Sequence, residues 1–165
     1  MRKVYVGIGS NLGDREFLIR KAVEALRDLP RTQVIRVSSL YDTDPVGETE
    51  QPPFLNAVAW LETELPSRDL LWQMLLIEKR IGRVRSRRWG PRPIDLDLLF
   101  YDEQITDEPD LIVPHPEAHR RAFVLLPLSE LDPEFRHPAT GETIRRMIQK
   151  LPPNPPVRKL GRFWY

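Results

Sequence analysis

Val4, Val6 and Ile8 alternate with polar or small neighbours, and this period of two predicts a strand from Val4 to Ile8. Gly9-Ser10-Asn11-Leu12-Gly13 predicts a turn, after which Asp14 is placed to cap a helix. Leu18, Ala22, Ala25 and Leu29, widened by Ile19, Val23 and Leu26, form the apolar stripe of that helix, which Pro30 stops. Gln33 to Tyr41 reads as a second strand and Phe54 to Thr63 as a third. In the third, Leu55, Ala57, Ala59 and Leu61 belong under helices, while Phe54, Asn56, Val58 and Trp60 share the other face. A second helix carries Leu70, Met74, Ile77 and Ile81, with Ser67 as its cap and Gly82 past its end. Ile94, Leu96, Leu98 and Phe100 then alternate with Asp95, Asp97 and Leu99 in a fourth strand.

Beyond Phe100 the pattern weakens. Tyr101 to Gln104 predicts a hairpin turn with a short return from Ile105. Ile112 to Pro116 is stiff and extended, Glu117 to Phe123 is a short helical stretch, and residues 141–150 are a last short helix. Pro152 to Pro156 excludes regular structure, and Val157 to Leu160 predicts an edge strand. The order β-α-β-β-α-β predicts an α+β fold of the ferredoxin-like plan, a largely antiparallel sheet with both helices on one face. Loops over the other face would hold a site, since Phe54, Asn56, Asp95 and Asp97 can all point there. No repeat or linker divides the chain, so residues 1–165 are expected to form one domain.

Composition narrows the chemistry. The formal net charge is +1, so no global field argues for nucleic acid or a membrane. There is no cysteine, which excludes a disulfide framework, a thiol nucleophile and a thiolate zinc site. Met1-Arg2-Lys3 runs straight into a glycine-broken strand unlike a leader peptide, and no apolar run has bilayer length. A cytoplasmic monomer without nucleic-acid or membrane partners is the expectation.

The densest chemistry lies in Arg88-Trp89-Gly90-Pro91-Arg92-Pro93-Ile94-Asp95-Leu96-Asp97. Two carboxylates at i and i+2 on one strand face sit roughly 7 Å apart and repel, so a cation belongs between them. Two readings stay open: arginines from Arg83, Arg85, Arg87, Arg88 and Arg92, or a pair of Mg²⁺ ions roughly 4 Å apart as in phosphoryl transfer. The basic run from Arg83 to Arg88 is either a solvated stretch or a wrap for polyphosphate. Glu78 near the end of its helix is either ion-paired or functional. His115, between Pro114 and Pro116, either bonds a phosphate or caps the next turn. Phe54 and Asn56 either close a strand end or stack a planar ring and bond its edge. Gly7, Gly9 and Gly13 do not fit a phosphate-binding glycine fingerprint, and no Lys-Ser/Thr follows, so the turn reads as structural.

These residues together resemble the 6-hydroxymethyl-7,8-dihydropterin pyrophosphokinases of folate synthesis. The likeness is carried almost end to end by Ile8-Gly9-Ser10-Asn11-Leu12-Gly13, Thr43-Asp44-Pro45-Val46-Gly47, Phe54-Leu55-Asn56-Ala57 and Gly82-Arg83-Val84-Arg85. The Arg88–Asp97 run, Val113-Pro114-His115-Pro116 and Arg121-Ala122-Phe123-Val124-Leu125 complete it. The resemblance implies transfer of pyrophosphate from ATP to the hydroxymethyl oxygen of the pterin, with two Mg²⁺ ions held by Asp95 and Asp97. It implies Thr43, Asp44, Val46 and Asn56 at the pterin edge and Phe54 and Phe123 on its faces. It further implies Glu78, Arg83, Arg85, Trp89, Arg92, His115 and Arg121 around ATP, Arg83 and Arg92 taking part in catalysis. The loops at 43–53 and 83–93 are expected to close over the substrates. Two positions depart from the pattern: Phe54 stands where relatives can have Tyr, and Leu75 where many have Gln. The competing class is a ferredoxin-like module that binds RNA or nucleotide without turnover, against which stand the missing RNP1 pattern and the two carboxylates.

Overall fold

A computed structural model of the chain describes residues 1–44, 53–82 and 93–161. Its elements are β1 (Arg2–Ser10), α1 (Arg15–Arg27), β2 (Thr32–Val37), β3 (Leu40–Thr43), β4 (Phe54–Thr63), α2 (Ser67–Ile81), β5 (Asp95–Tyr101), β6 (Thr106–Glu108), β7 (Leu111–Val113), α3 (Ala122–Leu131), α4 (Ile144–Gln149) and β8 (Val157–Gly161). The main sheet runs β5-β1-β4-β3-β8, with β2 also paired to β4, and every pairing in it is antiparallel. This is the expected α+β, ferredoxin-like arrangement.

One face of the sheet is a continuous apolar layer. Val4, Val6 and Ile8 of β1, Ala57, Ala59 and Leu61 of β4, and Leu96 and Leu98 of β5 pack with Ile19, Val23 and Leu26 of α1 and Leu70, Met74 and Ile77 of α2. The predicted stripes of both helices supply these side chains. Asp14 caps α1 as expected, its carboxylate accepting from Phe17 N at 3.2 Å. Ser67 does not cap α2. It is the first helical residue after Pro66, and its hydroxyl accepts from Gln104 Nε2 at 2.8 Å.

The opposite face is covered in part by helix rather than by loops alone. Tyr5, Val58, Leu99 and Phe100 pack with Leu125, Leu128 and Leu131 of α3 and Ile144 and Met147 of α4. Tyr5 and Phe100 each meet the Phe135 ring at 5.1 Å. The Tyr5 hydroxyl donates to Asp132 Oδ2 at 2.6 Å, tying the end of α3 to β1. The stretch Glu117–Phe123 resolves into a 3₁₀ turn at Ala118–Arg120, followed by an α3 that runs on through Pro127 to Leu131.

Three further departures have local causes. The run Gln33–Tyr41 is two strands, broken at Ser38-Ser39, where Ser38 N still donates to Val58 O at 2.9 Å but side chains replace the other ladder bonds. Ser38 Oγ accepts from Val58 N at 2.9 Å, and Ser39 N donates to both carboxylate oxygens of Glu130, at 3.1 and 3.0 Å. The alternation of β5 also breaks. Val6 pairs with Leu98 but Tyr5 with Phe100, so a bulge puts Leu99 and Phe100 into the same apolar cluster under α3. Beyond Tyr101 the chain does not return along β5, and β6 and β7 form their own two-stranded sheet.

The result is a sheet face whose character changes at one level across the three adjacent strands β5, β1 and β4. Along β1, Tyr5 is covered and Gly7 and Gly9 follow. Along β4, Trp60 and Val58 give way to Asn56 and Phe54. Along β5, Leu99 gives way to Asp97 and Asp95. Among the described residues no helix lies over this second half, which carries two glycines, an amide, an aromatic ring and two carboxylates.

Candidate active site

That half is the floor of a cavity of about 410 Å³. Thr43, Asp44, Phe54, Asn56, Asp95, Asp97, Arg121 and Phe123, all singled out from the sequence, line it. Gly7, Gly9, Asn154 and Pro155, which were not, line it too.

Gly9 explains how the floor is shaped. It is the register partner of Asn56 on one side and of Asp95 on the other. A β-carbon at Gly9 would stand 2.9 Å from Asn56 Oδ1, so the missing side chain is what lets the Asn56 amide lie across β1. Asn56 is 7% exposed and donates from Nδ2 to Thr43 Oγ1 at 3.2 Å. Sequence reasoning placed Gly9 in a turn, whereas β1 continues through it to Ser10. The signal that could have found it is a glycine pair at i and i+2 inside an apolar alternation, which marks a close approach to a strand.

Asp44 is held from outside. Arg158 of β8 bridges Asp42 Oδ2 at 3.1 Å and Asp44 Oδ1 at 3.2 Å. On the far wall, the Arg121 guanidinium lies 5.6 Å from the centre of the Phe123 ring, within cation–π range. Phe54 and Phe123 are both half-buried in the same cavity.

The acidic corner is built around β5, an edge strand of the sheet. Glu78 reaches from α2 and accepts from Leu96 N at 2.8 Å, satisfying an amide that β1 does not take. Burial raises the Glu78 carboxyl. The Leu96 amide opposes this, while Asp95 and Asp97 raise it further, to about 7. A third carboxylate thus stands behind the pair on the strand, and the corner holds more negative charge than it can stabilise alone. Among the described residues no group of three or more His, Cys, Asp or Glu is arranged about one ion position. Two half-buried carboxylates facing a cavity are a poor cage but a fitting hold for Mg²⁺, which keeps waters and takes its remaining oxygens from phosphates.

His115 lies beside this corner rather than in the cavity lining. Its amide donates to Leu99 O at 2.9 Å, and its Nδ1 accepts from Glu117 N at 3.1 Å, so a neutral ring carries its proton on Nε2. Burial and the Arg121 charge hold its pKa below the ordinary value, against Glu117 and Asp95. It does cap the following turn, and it keeps one donor nitrogen for a ligand. Glu78 and His115 therefore flank the cavity from α2 and from the segment after β7. Val46, Arg83, Arg85, Trp89 and Arg92, and most of the two loops expected to close, lie outside the described residues. Their anchors do not: Gly82 and Pro93 are neighbours, since a β-carbon on Gly82 would stand 4.0 Å from Pro93 Cγ.

Comparison with known proteins agrees in sequence and in fold. Residues 5–133 match the family described as 7,8-dihydro-6-hydroxymethylpterin-pyrophosphokinase. The 2-amino-4-hydroxy-6-hydroxymethyldihydropteridine pyrophosphokinase of Pseudomonas aeruginosa is 48% identical over 138 residues, 84% of this chain and 85% of that one. The protein of the same name from Methylorubrum extorquens is 45% identical over 155 residues, 93% of this chain and 96% of the relative. That of Bacillus subtilis is 43% identical over 137 residues, covering 83% and 82%. Among solved structures, wild-type Plasmodium falciparum HPPK-DHPS superposes with a TM-score of 0.68 at 15% identity, over 90% of this chain and 44% of that longer one. That likeness speaks for the fold.

Proposed function

The chain belongs to the 7,8-dihydro-6-hydroxymethylpterin-pyrophosphokinase family, and we propose that it performs the family reaction in the cavity between the sheet and α3. The reaction moves pyrophosphate from ATP to the hydroxymethyl group of 6-hydroxymethyl-7,8-dihydropterin in folate biosynthesis. The observation that carries the placement is one cavity holding an amide–hydroxyl edge, two aromatic rings and two carboxylates on a glycine floor.

Each group matches a part of the substrates. The pterin is planar, with a hydrogen-bonding edge, and fits between Phe54 and Phe123 with that edge toward Asn56 and Thr43. Asp44, braced by Arg158, extends the edge-binding side, and Val46 is assigned to the pterin edge by the resemblance to the family. Asp95 and Asp97 are the residues that would hold Mg²⁺, two ions in our reading, and bound metal would neutralise the triphosphate and polarise the attacked phosphorus. Arg121 and His115, whose Nε2 is the donor, serve the phosphates from the α3 side. Glu78 serves the nucleotide from the α2 side, and Arg83, Arg85, Trp89 and Arg92 are assigned to it by the resemblance to the family. In the transfer, the hydroxymethyl oxygen forms a bond to the β phosphorus. The bond from that phosphorus to the α,β-bridging oxygen breaks, AMP leaves with the oxygen, and the hydroxyl proton passes to solvent. No side chain need act as base, because a loose phosphoryl-type transition state depends on alignment and charge neutralisation. A cytoplasmic monomer remains our reading; among the described residues no helix is long and apolar enough to cross a membrane.

RNA binding on the same sheet face is disfavoured, since α3 and α4 cover part of that face and two carboxylates line the cavity beside them. The assignment of the pterin slot is tested by Phe54→Ala and Phe123→Ala. Each weakens pterin binding by roughly 1–3 kcal/mol, the cost of one aromatic stacking partner, and leaves ATP affinity nearly unchanged. Calorimetric titration of both ligands checks this; loss of ATP binding with pterin binding spared would show the two pockets to be exchanged.

A further inference from the structure

We infer that Asn154 is a positioning residue of the pterin site, acting through the backbone of Arg121 to set Arg121 and Phe123; the inference rests on the placement of Phe123 in the pterin slot. Asn154 sits in Leu151–Pro156, the proline-rich stretch between α4 and β8, past the residues 5–133 that match the family. Its side chain makes three hydrogen bonds. Oδ1 accepts from Ala122 N at 3.1 Å, and Nδ2 donates to Arg120 O at 3.2 Å and to Pro152 O at 2.9 Å. The first two groups flank Arg121, one from the residue before it and one from the residue after. One amide therefore brackets Arg121, in the way a neighbouring strand would, and restrains its backbone from both sides.

Within the helix, the Arg121 backbone is held only from its C-terminal side, by its carbonyl accepting from Val124 N and Leu125 N at 3.0 Å each, among the described residues. Arg121 is the N-cap of α3 with an extended backbone, and its own side chain makes no capping bond. An N-cap position normally carries an oxygen that satisfies a first-turn amide. Here Asn154 supplies it from a distant segment. The bracketed residue carries the guanidinium over Phe123, and Phe123 is the second residue of the helix. A shift of the Arg121 backbone therefore moves both the cation and the ring in the cavity wall.

The bracket has a stiff mount. Pro152, Pro153, Pro155 and Pro156 surround Asn154 and fix φ at four of its neighbours. The bond to Pro152 O holds the amide to its own segment, and the next residue, Val157, pairs with Thr43 at the opposite wall. One short segment thus ties together the walls that carry Thr43 and Phe123, and Asn154 and Pro155 themselves line the cavity.

The amide has separable halves. Its oxygen caps a helix; its nitrogen closes the bracket. Asn154→Asp keeps the capping oxygen and places negative charge at a helix N-terminus, which is favourable, but turns both donors into acceptors facing carbonyls. Asn154→Ala removes both halves. We expect Asn154→Asp to unfold near the wild-type temperature, its charge at the helix start offsetting the lost donors, and Asn154→Ala below it. Both should raise the KM for 6-hydroxymethyl-7,8-dihydropterin about tenfold, the scale of one lost hydrogen bond, and raise the KM for ATP by a smaller factor because Arg121 moves with the bracket, with kcat changed by about threefold or less. Combined with Phe123→Ala, Asn154→Ala should add little to the rise that Phe123→Ala causes alone. If Asn154→Asp restores the wild-type KM along with the melting temperature, Asn154 is only a helix cap and the inference fails. It fails also if the two changes multiply in the double variant. If Phe123→Ala alone leaves the pterin KM unchanged, the pterin-slot reading itself falls.

Discussion

Asp95→Ala and Asp97→Ala should each lower turnover on the order of 10³-fold, equivalent to about 4 kcal/mol of transition-state stabilisation, while the protein remains folded. The fold claim follows from position. Both side chains leave the sheet on the cavity side, half-buried, while the apolar layer under α1 and α2 takes Leu96 and Leu98 from the same strand. Their removal also relieves the repulsion that raises Glu78, so the metal-free variants should resist unfolding at least as well as wild type near pH 7. Raised Mg²⁺ should recover part of the activity of an Asn replacement at either position, since an amide oxygen remains a hard ligand. Thermal melting without metal and turnover across a Mg²⁺ series check these together. Wild-type turnover in either Ala variant at ordinary Mg²⁺ would end the metal assignment.

Arg92→Ala should lower kcat by roughly 10²-fold, the scale of losing one preorganised donor to developing charge, with a small effect on ATP dissociation. Pro91 and Pro93 flank Arg92 and stiffen it, and Asp95 follows three residues later. The downstream flank is anchored: Pro93 is buried, Ile94 is 5% exposed, and both stand against Gly82 at the other end of the segment. Arg85 has no proline on either side. Its loss should weaken substrate binding at least as much as it slows chemistry, because a cation without that bracing helps gather the nucleotide more than it meets the transition state. Arg92→Lys should recover only part of the rate, keeping the charge without the planar fork. Single-turnover kinetics with separately measured dissociation constants distinguish the two arginines; an Arg92→Ala protein that reacts at the wild-type rate once saturated would contradict the division.

What the sequence disclosed follows from where periodicity carries information. In β4 each alternate residue differs in kind, Leu55, Ala57, Ala59 and Leu61 against Phe54, Asn56, Val58 and Trp60, and the two sets lie on the two faces as expected. In β5, Leu98-Leu99-Phe100 is apolar on every side, so no pattern marks the bulge that turns Phe100 over. The break at Ser38-Ser39 was hidden because the groups that satisfy it, Val58 N and the Glu130 carboxylate, lie far along the chain. Asn154 was hidden for the same reason, with a proline-rich setting that has no period at all. The pocket residues legible in advance were those on strands whose register the alternation fixed; the missed ones were Gly7, inside the expected strand but given no role, Gly9, seen as a turn, and a side chain from a segment without regular structure.

Parallel reactions with ATP labelled at the α or at the γ phosphorus, run with Mg²⁺ and 6-hydroxymethyl-7,8-dihydropterin, test the central claim most directly. The α label should appear in AMP and the γ label in the pterin product, in equal amounts and only when pterin is present. Appearance of the α label in ADP, or release of AMP without pterin, would contradict transfer of pyrophosphate to the hydroxymethyl oxygen.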